Sequence, residues 1–207
     1  EVLQLALSDI PVVTIDYIFN DRLAVVSDNA KGMEDLFTYI YQMGHRRIAY
    51  IHGTDSAVTT NRLSSFYRTA EKLGVEIPDE YVMMTRYRDT KGAGEATEKL
   101  LDLRRPPTCI IYPDDFAAFG GIHVIRERGM SIPEDISIAG YDGIRLAKLT
   151  VPNLTTLCQD TQHLGQYAAE KLIDLIEKPK TAMRNITIVQ GKLYEGQTVL
   201  KLDGSRG

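Results

Sequence analysis

The feature that most constrains this chain is a repeated change of hydrophobic period. Short β-branched runs alternate with stretches whose apolar residues recur three and four apart. Ile48–Ile51 is followed by Leu63, Phe66, Ala70 and Leu73, and Tyr81–Met84 by Ala96, Leu100, Leu101 and Leu103. Cys109–Tyr112 is followed by Phe119, Ile122 and Ile125. Strands that alternate with helices pair in parallel, because a parallel neighbour needs a crossover and the helix supplies it. The expected fold class is therefore α/β, with doubly wound parallel sheet covered on both faces. Upstream, Ile10–Asp16 and Leu23–Val26 read as strands, and Met33, Leu36, Phe37, Ile40 and Tyr41 as one face of a helix closed near Gly44. Pro133 stops the helix before the next strand, Ile136–Ala139, which Gly140 breaks. Beyond Asp142 the rhythm changes. A polar loop runs to Asp160, a helix carries Leu164, Ala168, Leu172, Leu175 and Ile176, and Ile186–Val189 and Leu193–Leu200 read as strands added late.

In open α/β sheets, ligands bind beyond the carboxyl ends of the strands. Asp16, Asp28, Asp55, Asp114 and Asp142 each follow a predicted strand, which suggests a polar cleft, although turn-forming and helix-capping Asp account for some of them. Asp115 is expected to cap the helix that follows, leaving Asp114 to face a ligand. Arg62 lies near the start of a predicted helix, where the helix dipole disfavours a cation. Its planar fork of donors suits vicinal hydroxyls or a carboxylate, and a solvated surface arginine is the competing reading. Catalysis is not expected: Asp114 and Asp115 are adjacent and so point apart, and no nucleophile or further base is placed by the sequence. His45, His52, His123 and His163 lack metal-ligand spacing, so no metal is expected. Gly92-Ala93-Gly94 lacks the third glycine of a dinucleotide fingerprint and there is no phosphate-cradle motif, so no cofactor is expected.

Acidic residues outnumber basic ones by 28 to 24, for a net charge of −4. A module that binds nucleic acid by itself is usually basic, because phosphate neutralisation supplies most of the affinity. No apolar run reaches the ~18 residues that span a bilayer, and no signal-peptide pattern opens the chain. Cys109 and Cys158 lie apart among apolar neighbours, which favours buried thiols and a reducing, cytoplasmic setting. The chain begins with Glu, as a fragment or processed product would.

Five blocks, in order, resemble one family. His45-Arg46-Arg47-Ile48-Ala49-Tyr50-Ile51-His52-Gly53 is similar to a conserved entry into its distal lobe, and Arg62-Leu63-Ser64-Ser65-Phe66 to its arginine block, with Ser65 in place of a glycine. Pro107-Thr108-Cys109-Ile110 with Asp114-Asp115, Ile132 to Gly143, and Pro152 to Gln159 complete the set. Together these blocks resemble the lactose-repressor (LacI-type) transcription regulators over essentially the whole chain. The resemblance implies a periplasmic-binding-protein-like effector domain of two doubly wound lobes, with a small molecule, commonly a sugar, in the cleft. Residues 1–45 plus 159–185 would form the lobe nearer the DNA, incomplete here through N-terminal truncation. Residues 46–158 plus 186–207 would form the distal lobe. Arg62 and Asp142 match the family's ligand-binding arginine and aspartate, Asp114 a cleft position, and Asp28 an acidic position from the nearer lobe. A cleft aromatic is replaced around Asp89, with Tyr87 close enough to substitute. Operator DNA would be bound only through an N-terminal helix-turn-helix outside this chain, and a homodimer is implied. The rival expectation is a secreted sugar-binding protein serving a transporter.

Overall fold

Side-chain alternation along the strands sorts the main core into two layers. The structure is a computed structural model that describes residues 10–19, 23–179 and 185–203. Its strands are β1 (Val13–Ile15), β2 (Leu23–Ser27), β3 (Ile48–His52), β4 (Val82–Met84), β5 (Cys109–Ile111), β6 (Ser137–Asp142), β7 (Thr155–Cys158), β8 (Ile186–Val189) and β9 (Lys192–Tyr194). Its helices are α1 (Asn29–Gln42), α2 (Ala57–Lys72), α3 (Thr90–Leu101), α4 (Asp115–Glu127) and α5 (Thr161–Glu177). On β3, Ile48 and Tyr50 face one layer with Met33, Leu36, Phe37 and Ile40 of α1 and Phe66 and Ala70 of α2. Ala49 and Ile51 face the other, with Ala93, Ala96 and Leu100 of α3 and Ala117, Ala118 and Ile125 of α4. The period of two in the strands thus assigns α1 and α2 to one face and α3 and α4 to the other.

The chain divides into two units, residues 1–28 with 159–191 and residues 29–158 with 192–207. The first holds a three-stranded parallel sheet in the order β1-β2-β8, covered by Leu164 and Ala168 of α5 against Val25 and Val189. The second holds a six-stranded sheet in the order β4-β3-β5-β6-β7-β9, parallel except for β9. This differs from the lobes expected above. The helix over 29–42 buries its apolar face on the six-stranded sheet, so residues 29–45 go with the second unit. β8 pairs with β2, which takes residues 186–191 into the first. The expected lobe ends at residues 1–9 and 204–207, and residues 180–184, lie outside the described residues.

Local signals explain several boundaries. Ser56, Asp89, Asp114 and Asp160 cap α2, α3, α4 and α5, each side chain accepting a first-turn backbone N–H. Gly129, at φ +70°, ends α4, with Met130 N donating to Ile125 O, so the stop comes before Pro133. β7 was expected as part of a polar loop. It is a strand because Thr155 and Thr156 bury completely within the sheet, and Thr155 N donates to Thr198 Oγ1. The expected strand Leu193–Leu200 shortens to β9, after which Thr198 and Leu200 bond the chain onto β6.

His45 fixes the amino edge of the larger sheet. It is buried between Thr108 Oγ1 at 2.9 Å and Leu200 O at 3.0 Å. Burial pushes its imidazole down to about 4. Unfolded, the ring takes a proton near 6.5. Between the two values the unfolded chain binds more protons, so stability falls as pH drops through this window and is fully present above it. Chemical denaturation from pH 7 to pH 4 should show a loss of up to about 3 kcal/mol from this group. His45→Gln should flatten that part of the profile.

Candidate functional site

The strand order places a switch point between β3 and β5. The chain leaves β3 for β4 on one side, then returns across the sheet to β5 on the other. Loops beyond the carboxyl ends of these strands therefore diverge and leave room for side chains to converge. Arg62, in the second turn of α2, reaches this point and is 2% exposed. Its Nε donates to Asn29 Oδ1 at 2.8 Å and one terminal nitrogen donates to Pro113 O at 2.9 Å. The guanidinium lies over the Tyr141 ring, 3.5 Å from its centroid. Its other terminal nitrogen is 4.0 Å from Asp142 Oδ1, close enough for charge attraction and too far for a direct hydrogen bond. Arg62 is thus a locked, buried cation, and the solvated-surface reading fails.

Asp142 ends β6 in a left-handed conformation, φ 101°, followed by Gly143 at φ 70°. The strand runs through Gly140 instead of breaking there. A Cβ at Gly140 would come within 2.3 Å of Asp115 Oδ1, so the glycine admits a neighbouring carboxyl group. Asp115 is fully buried and accepts from Thr156 Oγ1 at 2.6 Å and Ile144 N at 2.8 Å, tying the loop that carries Asp142 to α4 and β7. Burial pushes its carboxyl up to about 7, against the pull of those donors.

Asp114, not Asp115, caps α4. Its backbone is extended, φ −158°, and its carboxylate accepts from Ala117 N at 2.8 Å and from Arg88 N at 2.7 Å. With two main-chain donors and 1% exposure, Asp114 positions backbone. Asp89 likewise caps α3 through Gly92 N at 2.8 Å. Tyr87 packs its ring where a Cβ on Gly53 would sit. Thr59 Oγ1 donates to Thr54 O, so the Tyr87 hydroxyl, 2.9 Å away, donates to Thr59. Asp28 belongs to the first unit, where its N–H donates to Val189 O. In that unit Asp16, at φ 52°, accepts from Ser27 N at 2.6 Å and Ser27 Oγ at 3.1 Å.

The structure therefore brings Arg62 and Asp142 together and gives Asp114 and Asp89 to helix caps. Asn29, Tyr141 and Asp115 were missed as site residues. Asn29 carried a signal, a polar residue immediately before an apolar period of 3.6. Tyr141 and Asp115 stand next to Asp142 and Asp114 in the sequence, with no separate signal of their own. Three hydroxyls, Tyr50 Oη, Thr85 Oγ1 and Thr155 Oγ1, are buried with no hydrogen-bond partner among the described residues.

Arg62→Leu should destabilise the larger unit by about 2–3 kcal/mol, measured by urea denaturation, because a buried carbonyl and amide oxygen lose their donor. Loss of binding in that variant would therefore not be diagnostic by itself. For Asp115 the folded pKa lies above the unfolded one, so its stabilisation is present at low pH and is lost as pH rises through about 7. Asp115→Asn should remove that decline, seen as a flatter melting-temperature profile between pH 5 and pH 8.

Residues 37–199 match the family model for the periplasmic binding protein-like domain. The chain is 30% identical to the HTH-type transcriptional repressor CytR of Escherichia coli (strain K12) over 151 residues, 72% of this chain and 44% of that protein. It is 29% identical to the ribose operon repressor of Haemophilus influenzae over 189 residues, 90% of this chain and 56% of that protein. The chain thus spans about half the length of the curated relatives it matches. A LacI family transcriptional regulator from Enterococcus faecium, solved with bound ribose, superposes with a TM-score of 0.84 at 26% identity, covering 93% of this chain and 72% of that one. With the doubly wound sheet and its arginine-centred switch point in place, the chain belongs to the family of periplasmic binding protein-like domains, in the form found in LacI-type regulators.

Proposed function

We propose that this chain is the effector-sensing and dimerising part of a bacterial, cytoplasmic LacI-type transcription regulator, and that a sugar is its effector. The observation that carries this reading is the buried Arg62 guanidinium set 4.0 Å from the partly exposed Asp142 at the switch point. A fixed fork of donors beside a carboxylate acceptor complements adjacent hydroxyls, and hydrogen bonds to charged groups contribute about 1.5–3 kcal/mol each. The ribose in the Enterococcus faecium relative supports a sugar. The repressor relatives favour regulation over enzymatic turnover or delivery to a transporter.

In this reading the two units are the two lobes of the effector domain, the smaller one nearer the DNA. Operator DNA is contacted by a helix-turn-helix of the intact regulator, consistent with the net charge of −4 on this part. Effector binding shifts the regulator between two states because it binds one of them better. Dimerisation is supported by an apolar surface along α4. Phe116 and Phe119 meet edge to face, and Phe119, Ile122, Pro152 and the 82%-exposed Val151 border a cavity of about 360 Å³. An isologous contact through such a face would bury it in a second copy.

Thermal-shift screening of sugars, sugar acids, sugar phosphates and purines should give a hit among the sugars. A ligand at ~100 times its Kd adds about 2.7 kcal/mol of stability. Asp142→Asn, which leaves the Arg62 bonds intact, should weaken that hit at least ~10-fold, about 1.4 kcal/mol. A purine hit with no sugar hit would overturn the sugar reading. Sedimentation should show a dimer that Val151→Asp converts to monomer with an unchanged melting profile for the larger unit.

A further inference from the structure

We infer that the effector is an anionic sugar, one bearing a carboxylate or a phosphate beside its hydroxyls; this rests on the sugar-binding reading above. The argument is a balance of donors and acceptors at the carboxyl edge of the six-stranded sheet. Of the carboxylates there, Asp114 is occupied by two main-chain N–H groups, Asp115 is buried under Thr156 and Ile144, and Asp89 gives one oxygen to Gly92 N and keeps the other beside Arg88. Asp55 is exposed beyond β3, and Asp142 is partly exposed beside Arg62.

The donors are far less engaged. Arg62 presents its second terminal nitrogen toward Asp142. Arg86 and Arg88 flank Tyr87 on the loop after β4, and Arg145 follows Asp142 by three residues. The side chains of Arg86, Arg88 and Arg145 are exposed and have no ion-pair partner among the described residues. Lys148, on the same stretch as Arg145, is turned onto the Tyr194 ring. Thr85, on this loop, has no hydrogen-bond partner for its hydroxyl among the described residues although only 7% of the residue is exposed, and that oxygen would lie 2.4 Å from a Cβ on Gly92 in the first turn of α3. Parallel crossovers also bring the amino ends of α2, α3 and α4 to this edge, each adding positive potential. The edge is rich in cations and donors and short of acceptors, which is the complement of an anion.

The loop is also held in a form that general turn chemistry does not favour. Asp89 N donates to Arg86 O at 3.3 Å, so residues 86–89 make a turn with Arg88 at its third position at φ 60°. That position ordinarily takes Gly or Asn. Tyr87 against Gly53 and Thr59, and Asp114 on Arg88 N, hold the turn from both sides. An arginine kept where a glycine would be unstrained, on a pinned loop at the switch point, is consistent with a side-chain role in binding.

The test is calorimetric titration of the chain with ribose, glucose and galactose, each compared with its sugar acid and its terminal phosphate. The expected result is that one acid or phosphate binds at least ~10-fold more tightly than its neutral parent, with the advantage shrinking between 0.05 and 0.5 M salt as exposed charges are screened. Which anion wins separates a carboxylate from a phosphate effector. Arg88→Gly should keep or raise the melting temperature of the free chain while cutting the advantage below threefold, and Arg86→Gln should reduce it in part. A neutral sugar binding as tightly as its charged counterparts would overturn this inference and leave the sugar reading standing. Preference for the anion that survives both variants would also overturn the assignment to this loop. No binding by any member would overturn both readings.

Discussion

The larger unit depends on one buried charge. A guanidinium removed from water loses several kcal/mol of solvation unless its donors are met, so whatever surrounds Arg62 must be arranged to meet them. The solution draws on three separate stretches: the start of α1 through Asn29, the loop after β5 through Pro113 O, and the end of β6 through Tyr141 and Asp142. Those contacts in turn require α1 and α2 to lie close. Ser65, one turn along α2 from Arg62, donates to Ala30 O at 2.6 Å and holds the first turn of α1 there. Where the family resemblance has a glycine, this chain has that hydroxyl.

The second constraint is the use of carboxylates as backbone partners. A doubly wound sheet starts its helices at the edge where ligands bind, so each helix needs a cap at the place where a ligand would need an acceptor. Asp114 shows which demand wins. Its extended backbone lets the carboxylate reach Ala117 N, and the loop of Arg88 closes on its other oxygen. Asp115, one residue on, has entered the helix, cannot cap it, and turns inward to brace the loop of Asp142.

This is why the fold was more legible than the site. Periods of two and 3.6 survive in sequence, and they placed most strands and helices. β7 escaped because threonine looks polar in a pattern, yet its backbone pairs and its methyl group packs. The sheet against which the 29–42 helix packs could not be read locally, because an apolar face states that it will be buried and not against what. The same limit hid the division of labour between Asp114 and Asp115. Both residue types suit either role, and only the φ angle at residue 114 decides between them.

Global and local charge separate for the same reason. The chain carries −4 overall, which argues against binding a phosphate backbone by itself. That sum includes Asp114 and Asp115, whose oxygens are committed to main-chain and threonine donors, and Asp89, which gives one oxygen to Gly92 N, while Arg86, Arg88 and Arg145 keep their guanidiniums exposed. Formal charge counts all six equally, but a ligand arriving at this edge does not meet them equally. A carboxylate satisfied by two donors offers little to a ligand hydroxyl, whereas an exposed guanidinium can still orient on an anion. An acidic protein can therefore present a cationic edge without any excess of basic residues, provided the fold assigns its acids to the backbone and its arginines to solvent.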